Sequence, residues 1–341
     1  MVFAHGVPVM STLFSPLSFA GLTLRNRVAM PPMWSGKATA EGFVTPAIVE
    51  YHRVRAAAGT ALIIVEHSFV HLQGRHSSTQ IGAHDDACIE GLAALAAAIR
   101  AEGAVACLQI SHAGARASSR VTGLPVVAPS PVVTAREANP DAPAELTLPQ
   151  IGAVVEAFAS AAVRARSAGF QAVEIHAAHG FLLSQFLSPL TNRRTDAYGG
   201  DHERRSHLHA EVLAAVRRKA GDDFPVFVRL GMHDERPGGL TLAPACVTAS
   251  QLVSAGAALI DVSGGLSGSD DPGRGPGYFV GYAEALKAVV DVPVLVAGGI
   301  GDPRMADLIV RSRRADIVGV GRAMLDDPEW TKAARAALGQ A

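Results

Sequence analysis

The chain has 341 residues, 49% of them hydrophobic and 5% aromatic, with a formal net charge of −1 at pH 7. That balance provides no excess positive field for nucleic acid or an anionic membrane surface, and no apolar run reaches bilayer length. The three cysteines, Cys88, Cys107 and Cys246, lie far apart with no CxxC pair, which argues against a zinc ribbon or iron–sulfur cluster and for buried thiols in a reducing, cytoplasmic setting.

Residues 1–10 lack a basic segment and a long apolar segment, so they read as a loose extension rather than a signal peptide. Residues 12–25 are expected to form a hairpin plugging the barrel bottom. Short apolar runs then alternate with Ala-rich helical stretches. Strands are expected at 27–30, 61–66, 104–110, 171–176, 225–230, 258–263, 293–298 and 315–320. Helices are expected at 46–58, 86–102, 149–168, 201–220, 243–256, 280–290 and 303–312, with a final helical region ending near 338. Nearly continuous apolar strands imply burial on both faces, and eight strand–helix units predict a single (β/α)8 TIM barrel over residues 1–341. An open doubly wound sheet is the alternative, but no GxGxxG turn follows an early strand. Two long insertions, 112–148 and 263–279, follow strand ends and should overhang the mouth where barrel sites are built.

Polar residues gather at these strand ends: Gln109 and His112, His176 and His179, Arg229, and the turns Gly298–Gly299 and Gly321–Arg322. Burying Gln, His and Arg costs free energy unless each is paired, so their coincidence at one end points to a site. Glycines after the last two strands let backbone N–H groups approach an anion, and Arg322 can add a bidentate fork; a phosphate-bearing cofactor fits. Arg229 can be neutralised inside the barrel by Glu174, or point up toward an electron-rich ring, or both. His176 and His179 lack a third and fourth metal ligand. Two neutral imidazoles can instead donate to one oxygen atom, and core packing is the alternative for His176.

These pieces resemble the old yellow enzyme family. The resemblance is carried by "LFSPLSFAGLTLRNRVAMPPM" (13–33), "GTALIIVEHS" (59–68), "LQISHAGARAS" (108–118), "AGFQAVEIHAAHGFLLSQFLSPLTNRRTDAYGG" (168–200), "FVRL" (227–230), "VAGGI" (296–300) and "VGVGRAMLDDP" (318–328), in family order over nearly the whole chain. It implies a barrel with FMN across its mouth, NADPH or NADH as electron donor, and hydride transfer from flavin N5 to the activated C=C of an unsaturated carbonyl compound. By matched position, Pro31, Pro32, Met33 and Trp34 would line the flavin ring with His67 nearby. Gln109 would meet its pyrimidine edge and Arg229 its N1 and O2. Gly298, Gly299, Gly321 and Arg322 would hold the phosphate, and His176 and His179 the oxygen of a carbonyl or phenolic ligand. A homo-oligomer is compatible with the family.

The sequence departs from the family pattern in three places. Trp34 stands where many members have Thr or Cys. The iron–sulfur cluster and added dinucleotide domain of the larger dienoyl-CoA reductase branch are not found. Phe181 stands where a tyrosine usually donates a proton. Without that hydroxyl, either another donor serves or the chain runs an isomerisation or dehydrogenation of a related carbonyl substrate.

Overall fold

The computed structural model describes residues 11–133, 142–269, 273 and 275–340, so the expected loose extension lies outside the described residues. Eight parallel strands close a barrel: β1 (Val28–Met30), β2 (Leu62–Phe69), β3 (Val105–Ser111), β4 (Ala172–Ala177), β5 (Val226–Gly231), β6 (Leu259–Ser263), β7 (Val294–Ala297) and β8 (Ile317–Gly319). Around it lie α1 (Pro46–Ala57), α2 (Ile89–Ala101), α3 (Leu148–Ser167), α4 (His202–Ala220), α5 (Leu242–Ser254), α6 (Val280–Lys287), α7 (Pro303–Arg311) and α8 (Trp330–Ala337). The predicted (β/α)8 barrel is the observed fold.

Side chains alternate along each strand, and the inward set changes character with height. At the bottom it is apolar: Leu62, Ile64, Val105, Cys107, Ala172, Phe227, Leu259, Leu295 and Ile317 form one cluster with Leu22 and Leu24. Those two leucines belong to the predicted hairpin, Leu17–Phe19 paired antiparallel with Leu22–Leu24, which closes that end. Two residues further up the same faces stand Glu66, Gln109, Glu174, Arg229 and Asp261, all buried. Register brings the polar set together: Gln109 lies opposite Glu174, His176 opposite Arg229, and Arg229 opposite Asp261.

Some boundaries differ from expectation for identifiable reasons. β2 runs on to Phe69 through a register irregularity between Val65 and Ser68, which re-aims Glu66 and His67. The 86–102 helix begins as a separate short turn, Asp86–Cys88, capped by the Asp85 carboxylate. The last helical region is two pieces, Arg322–Asp326 and α8, because Pro328 interrupts it. An unexpected helix, Leu182–Leu187, follows the two histidines directly.

Candidate active site

One cavity of about 660 Å³ opens at the strand C-termini. Its wall contains Pro31, Pro32, Met33, Trp34, His67, Gln109, His176, His179, Phe181, Arg229, Gly298, Gly299, Gly321 and Arg322, all expected at a site from sequence. His112 is not among them. It is buried below the surface, where its Nδ1 accepts from the Gly114 N–H at 3.1 Å and its ring packs against Gly74.

At one end of the cavity the turns after β7 and β8 come together. Gly298 and Gly299 have φ of +129° and +67°, values that penalise any Cβ. A Cβ on Gly298 would also meet the Tyr278 ring at 2.8 Å, and one on Gly321 the Met33 sulfur at 2.9 Å. Among the described residues, the backbone N–H groups of Gly298, Gly299, Ile300, Gly321 and Arg322 meet no protein acceptor. Arg322 lines the same cavity and donates to the Tyr278 hydroxyl at 3.3 Å. Orphaned donors, a glycine cradle and a guanidinium are the chemistry of a phosphate site.

In the middle, Gln109 donates from Nε2 to Glu174 at 2.7 Å, which leaves its amide oxygen to accept from a ring N–H. Of the alternatives for Arg229, the carboxylate that pairs with it is Asp261, 3.1 Å from Nε and placed there by strand register, while Glu174 feels its charge from further off. The two groups are close without the alignment of a hydrogen bond. Arg229 also lines the cavity, so it is paired below and presented above at once. Burial pushes the carboxyls of Glu174 and Asp261 upward; the negative charge of Asp261 adds to the shift of Glu174, and Arg229 opposes both. The loop of Pro31–Trp34 is fastened at its far end, where Ser35 donates from N (2.9 Å) and Oγ (3.1 Å) to buried Glu66. Burial raises the Glu66 pKa to about 7.

The two histidines stand beyond. His176 Nε2 and His179 Nδ1 are hydrogen-bonded to each other at 2.9 Å, one ring donating and the other accepting, and the other nitrogen of His179 lies 2.6 Å from the Ser263 hydroxyl. His179 sits in the left-handed region at φ 59°, which turns its ring back over the strand end. Burial, reinforced by His179, His67, Arg229 and Arg116, keeps His176 neutral. Phe181 packs on His176 with ring centroids 4.5 Å apart. Sequence reasoning missed Ser263, Asp261, His76, Arg116 and Tyr278. Among the described residues, no group of three or more His, Cys, Asp or Glu side chains is arranged to hold a metal ion.

FMN fits this cavity: the phosphate cradle, the Gln109 oxygen and the Arg229 charge correspond to a phosphate, a ring N–H edge and an electron-rich edge. The sequence signature of the NADH:flavin oxidoreductase / NADH oxidase family matches residues 12–340. The chain is 40% identical over 333 residues to an NADPH dehydrogenase of Geobacillus thermodenitrificans, covering 96% of this chain and 95% of that one. It is 42% identical over 325 residues to a metal reductase of Desulforamulus reducens, covering 94% of this chain but only 48%, about half, of that relative. It superposes on the old yellow enzyme homologue from Zymomonas mobilis with a TM-score of 0.82 and 26% identity, covering 96% and 93% of the two chains. The chain therefore belongs to the NADH:flavin oxidoreductase / NADH oxidase family, the old yellow enzyme family of FMN-dependent oxidoreductases.

Proposed function

We propose that the protein uses NADPH or NADH to reduce bound FMN and reduces the activated C=C of an unsaturated carbonyl compound. The observation that carries this reading is the pairing of His176 Nε2 with His179 Nδ1, two imidazoles side by side in the wall of the same cavity as the glycine turns and Arg322. Bound there, FMN supplies hydride transfer at its ring N5. Gly298, Gly299, Gly321 and Arg322 would hold its phosphate, and Gln109, Arg229, His67 and the Pro31–Trp34 loop its ring.

The histidine pair polarises the substrate by proton placement. Ser263 can donate its hydroxyl hydrogen to His179 Nε2, which fixes the hydrogen of that ring on Nδ1. His176, kept neutral by burial, can carry its hydrogen on Nε2. With that tautomer His179 Nδ1 donates to His176 Nε2 in the pair as it stands, so both rings donate to one substrate oxygen once that oxygen parts them and the His176 hydrogen sits on Nε2, drawing electron density from the conjugated double bond. A phenolate would be gripped in the same way. The large exposed face of Trp34, 53% accessible, forms part of the entrance.

A second reading, an isomerase or dehydrogenase of a related carbonyl substrate, is favoured by one observation: Phe181 fills the place beside His176 with no proton to donate. Product analysis separates the two. Purified protein should be yellow, release a flavin with one phosphate on acid precipitation, and consume NAD(P)H with 2-cyclohexenone to give a product two hydrogens heavier. A product of unchanged mass, or one that has lost hydrogen, supports the second reading. Release of FAD overturns the phosphate assignment. A cytoplasmic location accords with the free cysteines Cys88, Cys107 and Cys246. Among the described residues no helix is long and apolar enough to cross a membrane.

A further inference from the structure

Reduction of a double bond adds hydride to one carbon and a proton to the other, so the cavity needs an acid distinct from the pair that grips oxygen. Phe181 supplies none. Around its ring stand His67 at 5.5 Å, His76 at 5.7 Å, and the Arg116 guanidinium at 5.7 Å. An arginine holds its protons too tightly to serve. His67 has a buried Nε2 with no partner, and burial, with the charges of His76, Arg116 and Arg229, lowers its pKa to about 3. It has little affinity for a proton.

His76 differs in its hydrogen bonding. Its Nδ1 lies 2.7 Å from the backbone oxygen of Arg116, which can only accept. Nδ1 therefore carries a hydrogen, and the proton that comes and goes belongs to Nε2. The ring lines the cavity and is partly open to solvent. Its backbone is held in place by buried Gln80, which accepts from the His76 N–H at 2.7 Å and donates to the His67 carbonyl at 2.9 Å.

We propose that His76 donates the proton in C=C reduction, in place of the hydroxyl that Phe181 lacks; this rests on the ene-reductase reading above. The β-carbon receives hydride from reduced FMN, which is thereby oxidised. The π-electron pair forms the new C–H bond at the α-carbon with the proton from His76 Nε2. The imidazolium becomes neutral imidazole and takes a proton back from solvent. The charged and titratable groups facing His76 are His67 on β2 and Arg116 on the loop after β3, with His176 and His179 beyond Phe181. Burial and Arg116 lower the His76 pKa from 6.5, and the bond to the Arg116 carbonyl partly opposes them. The protonated donor is thus favoured in mild acid.

The test is stopped-flow reoxidation of the NAD(P)H-reduced holoenzyme by 2-cyclohexenone between about pH 5 and 8. The native rate should fall as pH rises through a midpoint below 6.5. His76→Gln should slow reoxidation by roughly 100-fold or more. Adding Phe181→Tyr to that variant should restore most of the loss, which a merely structural role for His76 would not allow. Independently of turnover, nitrogen-15 spectra of the oxidised native holoenzyme should show His76 with its hydrogen on Nδ1 and a titration midpoint matching the kinetic one. Undiminished reoxidation in His76→Gln, no restoration by tyrosine, or a hydrogen on Nε2 in the neutral ring would each overturn the proposal. If neither native enzyme nor Phe181→Tyr is reoxidised by any enone, the ene-reductase reading fails and this one with it.

Discussion

A single hydroxyl bears on how the histidine pair is protonated. The Ser263 oxygen lies 2.6 Å from His179 Nε2 and receives a long contact, 3.5 Å, from Arg229 Nη2. That order, guanidinium to hydroxyl to imidazole, leaves the His179 hydrogen on Nδ1. Ser263→Ala should therefore weaken phenol binding, read from the long-wavelength charge-transfer band, by on the order of tenfold, the value of one neutral hydrogen bond of about 1 kcal/mol or slightly more. His176→Ala and His179→Ala should each cost at least as much; unchanged affinity in the double variant would place the ligand elsewhere. At Phe181 the expectation concerns rate and pH. Phe181→Tyr adds an acid that keeps its proton to about pH 10, so enone-driven reoxidation should quicken above pH 7 and lose its pH dependence. The histidines, Gln109 and Arg229 were legible in sequence because polar residues at strand ends are costly without a use. Ser263 and Asp261 were not: their roles depend on which strand faces which, and nothing in the run 258–263 says which neighbour either residue will meet. His76 and Arg116 reach the cavity from connections whose paths no local pattern encodes.

The loops after β1, β7 and β8, proposed above to hold the cofactor, line one side of the mouth, and they are fixed by different devices. After β7 and β8 it is glycine, and Arg322→Ala should weaken FMN binding by roughly tenfold or more, measured by apoprotein titration, since a charge-assisted contact is lost while the backbone donors remain. After β1 it is Glu66, which holds Ser35 through two hydrogen bonds. Its pKa rises from 4.5 to about 7, chiefly by burial. The native protein thus binds this proton more tightly than the unfolded chain does. The associated stability is present in full below about pH 4.5 and is lost as pH rises through about 7. Glu66→Gln cannot ionise, so its stability relative to the native protein should climb across that window, by roughly 3 kcal/mol at most. Denaturant midpoints of both holoproteins at a series of pH values measure this; parallel curves would show that Glu66 does not titrate there. The Gly turns could be read from sequence, because glycine pairs at the ends of late barrel strands have a steric purpose. The fastening by Glu66 could not, because it depends on the register irregularity in β2, which no run of apolar residues announces.

Across the whole molecule, stability and chemistry occupy opposite ends of the barrel. The upper interior carries buried carboxyls, a guanidinium and a glutamine, none of which contributes hydrophobic packing. The lower interior is closed by apolar side chains and by the hairpin, whose Phe19 lies 5.9 Å from Phe227, ring to ring. This division explains why the barrel itself was readable from periodicity alone. Eight apolar runs with helices between them have few other ways to bury both faces, whereas the site depends on exceptions to that pattern. It also yields a prediction that separates the two ends. Phe227 is fully buried, two residues below Arg229 on the same strand face. Phe227→Ala leaves a cavity beneath the polar layer and should cost about 3–5 kcal/mol of stability. Phe227→Leu keeps most of the volume and should cost less than about 1.5 kcal/mol. In both variants that remain folded, the flavin spectrum and phenol affinity should stay close to native, because the side chains of the mouth are held by their own contacts above this layer. Ser263→Ala should show the opposite pattern, with ligand affinity falling and the denaturation midpoint little changed. If Phe227→Ala instead loses flavin or phenol binding at temperatures where it is fully folded, the polar layer takes its geometry from the packing below it, and the two ends are not independent.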